Sequence, residues 1–294
     1  MLFLLPAFFL LLQPVITVRT ELVVVPVAVT DSRGRHVSDL NEHSFHVYED
    51  GHLRPTAVFH RGEAPMTLGL IVDRSQSMRQ KTAAVLTAVS AVLHSIREDD
   101  ELFAVDFNDH VSFELPDDRP FTNDPKAIEA TLMTSRAEGR TALYDGVSAG
   151  LQQLRAGRGE RRALIVISDG GDNASKRQYA DVVALARQSD GVIYAIGLLA
   201  ASEQEDQDAE PLKRLCKDTG GVAYFPRTPD EIAEVSAKVA AELREQYTLG
   251  FIPGVRTDTR AFRKIEVTVT AEGRGRLHVR TRSGYVIAPE RVKP

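Results

Sequence analysis

The chain is predicted to carry a doubly wound, mostly parallel α/β sheet inserted into a small β-sandwich-like module. Three observations predict this. Between residues 65 and 246, continuous apolar runs alternate with amphipathic helical patterns, the order that gives parallel strands with helices on both faces. On both sides of that segment, in residues 21–64 and 247–288, the pattern changes to short alternating strands separated by turn residues. Each flank is too small to make a sheet domain alone, so the two are expected to pair with each other, interrupted by a central domain whose ends emerge close together.

Taken in order, ELVVVPVAVT (21–30) reads as the first strand, DSRG as a turn, and HSFHVYEDG as a strand alternating around Phe45 and Val47, followed by TAVFH. The central segment opens with LGLIVD (68–73), a run apolar on both faces, as a strand covered on two sides must be. A helix over 81–96 follows. DELFAVDFND and HVSFEL predict paired strands, and Asn123 or Asp124 with Pro125 predicts a helix start. ALYDGVSAGLQQLR reads as a helix, ALIVISDG (163–170) as a second buried strand, QYADVVALARQS as a helix, and GVIYAIGLL as a third strand. PLKRLCKDTG has helical spacing, and Thr228-Pro229-Asp230-Glu231 predicts a capped start to the final helix. The strands YTLGFI, KIEVTVT, LHVRT and GYVI close the chain.

Of 294 residues, 43% are hydrophobic and 26% charged, with a net charge of −5, which gives no basic surface of the kind nucleic acid requires. The basic runs at 155–162 and 274–282 are expected to be solvated loops or strand edges. Residues 1–20 hold an apolar run like that of a secretory signal, so an extracytoplasmic location is expected: periplasmic, secreted or membrane-anchored. Membrane contact is expected only through that segment, left uncleaved. Cys216 is the single cysteine and excludes an internal disulfide; a buried, inert thiol is expected there. The eight histidines show no zinc-ligand spacing.

In open α/β sheets, sites form where loops converge beyond the carboxyl ends of the strands. Three segments bring oxygen donors there: Asp73-x-Ser75-x-Ser77 after the first central strand, GRTALYD (139–145) in a loop entering a helix, and SDGGDN (168–173) at the end of ALIVIS. In an extended turn, alternate residues face one way, so Asp73, Ser75 and Ser77 can converge. Hard oxygen donors without His or thiolate suit Mg2+, Mn2+ or Ca2+. Asp172 and Asp145 read as loop-capping and first-turn carboxylates, and Asp106 and Asp109 in VDFND as turn residues.

DRSQS, TALYD and ISDG, in this order over about residues 66–245, resemble the metal-ion-dependent adhesion site of von Willebrand factor type A (VWA) domains, whose fold is Rossmann-like. The flanks are similar to a bacterial VWFA-related group known chiefly from acidobacteria. The resemblance implies that Ser75, Ser77 and Thr141 ligate a divalent cation directly, Mg2+ foremost and Mn2+ or Ca2+ as alternatives, with Asp73 and Asp169 holding it through waters. It implies an open coordination position for an Asp or Glu of a protein partner. Arg74 and Gln76, the intervening residues, are expected to point away from the ion and contact that partner.

The expected function is therefore a non-enzymatic, adhesion-type binding module. A metal-dependent hydrolase is the first alternative, because aspartates at strand ends also serve such enzymes; but these motifs carry no His, Lys or further carboxylate as general base. A subunit of an assembly or chaperone machine is the second.

Overall fold

The computed structural model describes residues 22–62, 64–199, 208–254 and 261–286. The signal-like segment 1–20 and residues 202–207 of an acidic stretch lie outside them.

Four strands precede the central segment: β1 (Val23–Thr30), β2 (Phe45–Glu49), β3 (His52–Arg54) and β4 (Thr56–Arg61). The central segment then runs β5 (Met66–Asp73), α1 (Thr82–Leu93), β6 (Glu101–Phe107), β7 (Val111–Phe113), α2 (Pro125–Thr134), α3 (Leu143–Leu154) and β8 (Arg161–Ser168). It continues through α4 (Tyr179–Gln188), β9 (Val192–Gly197), α5 (Ala209–Thr219), β10 (Ala223–Tyr224) and α6 (Pro229–Glu245). After it come β11 (Tyr247–Phe251), β12 (Phe262–Val269), β13 (His278–Thr281) and β14 (Gly284–Val286).

The central sheet has the order β10-β9-β8-β5-β6-β7, with β7 alone antiparallel. Every residue of β5 is buried, because the sheet is covered on both faces. Met66, Leu68, Leu70 and Val72 pack toward α1, α2 and α6, while Ile71 packs with Phe103, Leu164 and the apolar sides of α3, α4 and α5. Each fully buried aliphatic side chain contributes roughly 1.5–3 kcal/mol, so this two-sided packing holds β5 at the centre. Gly69 completes the fit: a Cβ there would lie 2.3 Å from the Phe103 ring, which fills the space over the strand.

The flanking strands form two antiparallel sheets, β13-β1-β11-β4 and β14-β12-β2-β3, each built from both ends of the chain. Val25, Val27, Tyr247 and Leu249 of the first share one apolar core with Phe45, Val47, Ile265 and Val267 of the second.

Three arginines of the basic runs are drawn into the fold, Arg161 and Arg282 buried and Arg280 half-buried. Arg161 donates to the carbonyls of Gly62, Arg244 and Gln246 where the flanks leave the central sheet. Arg280 pairs with the buried Glu242 of α6, and Arg282 donates to the Arg187 carbonyl and pairs with Asp190. Main-chain carbonyls buried where chain segments cross need donors, and a guanidinium supplies several from one side chain. Burial lowers the pKa of Arg161 to about 10, still protonated at neutral pH. Thr228 caps α6 by accepting from the Glu231 amide, but Glu231 reaches back to the Arg227 amide, one residue beyond the expected reciprocal contact.

Candidate functional site

β5 ends on Asp73, which is fully buried. Its Oδ1 accepts from the Ser75 amide at 2.8 Å, and its Oδ2 accepts from the Ser168 hydroxyl at 2.6 Å. The carboxylate therefore joins the carboxyl ends of two neighbouring strands. The chain does not stay extended afterwards. Ser75 is extended (φ −66°, ψ 165°), but residues 76–81 wind into a 3₁₀ turn, closed by the Met78 amide on the Ser75 carbonyl. That turn, rather than strand alternation, brings the Ser75 and Ser77 hydroxyl oxygens to 3.1 Å.

The second loop is stitched to the first by backbone. The Glu138 amide donates to the Arg74 carbonyl and the Gln76 amide to the Gly139 carbonyl. Two residues on, Thr141 is 5% exposed, and its amide donates to the side chain of Asn173 in the third loop. The Asn173 and Ala174 amides return hydrogen bonds to the Thr141 carbonyl. Asp145 and Asp172 reinforce the same junction: Asp145 accepts from the Lys176 and Arg177 amides, and Asp172 from the Tyr144 amide and the Ser175 hydroxyl. Both are thus engaged as loop caps.

Asp169 follows β8 and is 1% exposed. Its Oδ2 pairs with the Lys81 ammonium at 3.0 Å, while its Oδ1 is buried without a hydrogen-bond partner. The next residue, Gly170, has φ +88°, and its amide donates to the Ser168 hydroxyl. Ser168 thereby fixes Asp73 and the loop of Asp169 together. Neither Ser168 nor Lys81 was identified from sequence; Ser168 lies inside the ISDG motif, whereas Lys81 had no signal beyond helix spacing.

Burial pushes the Asp73 carboxyl up to about 6, against the lowering effect of the Ser168 and Ser75 hydrogen bonds. A nearby cation would reverse this shift. Arg74, expected to face a partner, is 3% exposed and turned inward: it pairs with Asp106 at 3.3 Å and donates to the Leu132 carbonyl. Asp106 is likewise a buried β6 residue and not part of a turn. Gln76 is exposed. Asp109 holds the second loop through the Arg140 amide and guanidinium, which keep its carboxyl below the usual range. Burial pushes the Cys216 thiol well above its ordinary range.

The donor set fits a hard divalent cation. It comprises three hydroxyls and two carboxylates, and one carboxylate oxygen, Oδ1 of Asp169, is an unpartnered buried acceptor. Among the described residues, no cluster of three or more His, Cys, Asp or Glu is placed to hold a metal, so a cation site here depends on Ser and Thr oxygens.

The family model of the von Willebrand factor type A domain matches residues 68–238. A solved von Willebrand factor type A protein from Catenulispora acidiphila superposes with a TM-score of 0.55 at 12% identity, covering 82% of this chain and 67% of that one. Proximal thread matrix protein 1 of the mussel byssus gives a TM-score of 0.53 at 15% identity, covering 67% and 51%. By sequence, an uncharacterised Synechocystis protein is 27% identical over 115 residues, which are 39% of this chain and 27% of that protein's length.

Proposed function

The chain belongs to the von Willebrand factor type A domain family, and from that premise we propose that it is a non-enzymatic binding module. It captures an Asp or Glu of a protein partner through a divalent cation, Mg2+ foremost, with Mn2+ or Ca2+ as alternatives. The observation that carries the reading is the unpartnered, buried Oδ1 of Asp169 after β8, together with the paired hydroxyls of Ser75 and Ser77 after the neighbouring strand β5.

In this reading Ser75, Ser77 and Thr141 hold the ion by their hydroxyl oxygens, and Asp73 and Asp169 supply charge from behind them. When bound, the ion offers Lewis acidity to an incoming carboxylate. Asp73 orients the Ser75 segment through its amide, and Ser168 holds Asp73 in place. Neutral first ligands leave the cation's charge largely unquenched, which favours an anionic partner. Gln76, exposed at the rim, is retained as a partner contact; Arg74 is not. Both carboxylates are sequestered, Asp73 at 0% and Asp169 at 1% exposure, which supports binding over general-base hydrolysis. The apolar N-terminal run supports action outside the cytoplasm; among the described residues no helix is long and apolar enough to cross a membrane.

The test is an immobilised peptide array in which each Asp- or Glu-centred peptide is matched with its Asn or Gln counterpart, probed with the full chain in Mg2+ and in EDTA. Capture confined to the acidic members, lost in EDTA and in Ser75→Ala/Ser77→Ala, is expected. Capture indifferent to EDTA or to the Asp-to-Asn change would overturn the reading.

A further inference from the structure

We propose that Arg79 and Arg140 form a clamp for carboxylates on either side of the one that meets the ion, so that the partner presents a run of acidic side chains and not a solitary Asp or Glu. The inference rests on the metal reading above for its central contact and adds the two arginines beside it. Arg79 lies two residues beyond Ser77, and Arg140 immediately precedes Thr141, so each loop that carries hydroxyl ligands also carries a guanidinium. Both arginines are exposed. With about three residues per 3₁₀ turn, positions 76 and 79 share an edge, which sets Arg79 beside the exposed Gln76.

Neither arginine hangs free. The Arg79 Nε donates to the Ala137 carbonyl at 3.3 Å, tying the first loop to the second. The Arg140 Nε donates to Oδ1 of Asp109 at 2.9 Å, and its Nη1 reaches the Asn173 carbonyl of the third loop at 3.5 Å. The two side chains thus lie on the seams along which the three loops meet. Both Nη groups of Arg79 and Nη2 of Arg140 have no partner among the described residues, and the Arg140 side chain stays 67% exposed despite its pairing with Asp109. A guanidinium fixed at one edge and open at another suits a carboxylate. Part of its rotamer freedom is already lost, and its remaining N–H donors lie in the plane that matches two carboxylate oxygens. In an extended peptide alternate residues share a face, so Glu-x-Asp-x-Glu can aim its middle carboxylate at the ion and its outer ones at the arginines.

Fluorescence anisotropy of two labelled peptides with the full chain in Mg2+ tests this: Glu-Ala-Asp-Ala-Glu and Ala-Ala-Asp-Ala-Ala, each in the same Gly-Ser frame. Wild type is expected to bind the flanked peptide at least about tenfold more tightly at low salt, as two exposed ion pairs near the top of their usual range would give. The gap should close toward 1 M NaCl, where such charges are screened within about 3 Å. Arg79→Gln, which removes a single loop hydrogen bond, should narrow the gap, and Arg79→Gln/Arg140→Gln should bring it within about twofold. The ratio between peptides is the readout, because a general loosening of the second loop weakens both alike. Equal affinity for the two peptides in wild type, or a gap undiminished in the double variant, overturns the clamp and leaves the metal reading standing. Binding of both peptides that is indifferent to EDTA, or binding of neither in Mg2+, overturns the metal reading and this inference with it.

Discussion

The hydroxyl of Ser168 donates a 2.6 Å hydrogen bond to Oδ2 of Asp73, joining the last residue of β8 to the last residue of β5. A buried carboxylate needs donors to remain ionised, and a hydroxyl that in turn accepts from the Gly170 amide is held in position to supply one. Ser168→Ala should raise the Asp73 carboxyl further above its present value of about 6. Mg2+ or Mn2+ affinity measured against pH should then fall away at higher pH on acidification than in wild type.

Asp73 also predicts a pH dependence of folding in the ion-free protein. Its folded pKa, about 6, lies above the ordinary 3.8. Between these values the folded state retains a proton that the unfolded chain releases, so its contribution to stability is present below about 4 and lost by about 6. Asp73→Asn cannot ionise. In EDTA its stability relative to wild type, from urea melts, should rise across that window to an advantage on the order of 3 kcal/mol at neutral pH. Saturating Mg2+ should remove the advantage by stabilising wild type alone.

The loop of Asp169 depends on Gly170, whose φ is +88° and whose added Cβ would fall 2.1 Å from the Asp208 carbonyl oxygen. Backbone cannot yield as a flexible side chain can. Gly170→Ala should cost on the order of 1–3 kcal/mol in thermal melts and weaken metal binding, because the strain is relieved by moving the segment that holds Asp169.

Arg74 is placed as a structural cation, so its loss should be felt in stability. Arg74→Met leaves Asp106 buried without its ion pair, a change worth on the order of 3 kcal/mol. Burial raises Asp106, and Glu114 beside it is pushed up to about 7 by burial and by the Asp106 charge. Raised carboxyls favour the folded state below their folded pKa values and lose that advantage as pH rises through them. Urea melts should therefore show a larger deficit at pH 8 than at pH 5.

Much of this arrangement was readable in the chain. LGLIVD ends an apolar run on a carboxylate because β5 is covered on both faces and its end is where loops converge. Ser75, Ser77, Thr141 and Asp169 were singled out by the likeness of DRSQS, TALYD and ISDG to a family motif, not by any local period. What escaped reading depends on contacts between distant residues. Ser168 lies 95 positions from Asp73, and Lys81 lies 88 from Asp169; no local period marks either. Arg74 looked exposed because polar residues alternate after β5, but the side of the chain it faces is covered by β6 and α2, and the guanidinium turns in toward Asp106 and the Leu132 carbonyl. The basic runs around Arg161, Arg280 and Arg282 read as solvated because sequence does not show which carbonyls the flanks bury. β10, only two residues long, is too short to leave a pattern.

The most direct measurement of the central claim is a calorimetric titration of Mg2+ into wild type and into Ser75→Ala/Ser77→Ala, after EDTA treatment and with folding checked by circular dichroism. One cation bound per wild-type chain, with no detectable binding to the folded double variant, is the predicted result. Wild type that binds no Mg2+, or a folded double variant that binds it equally well, would contradict the account.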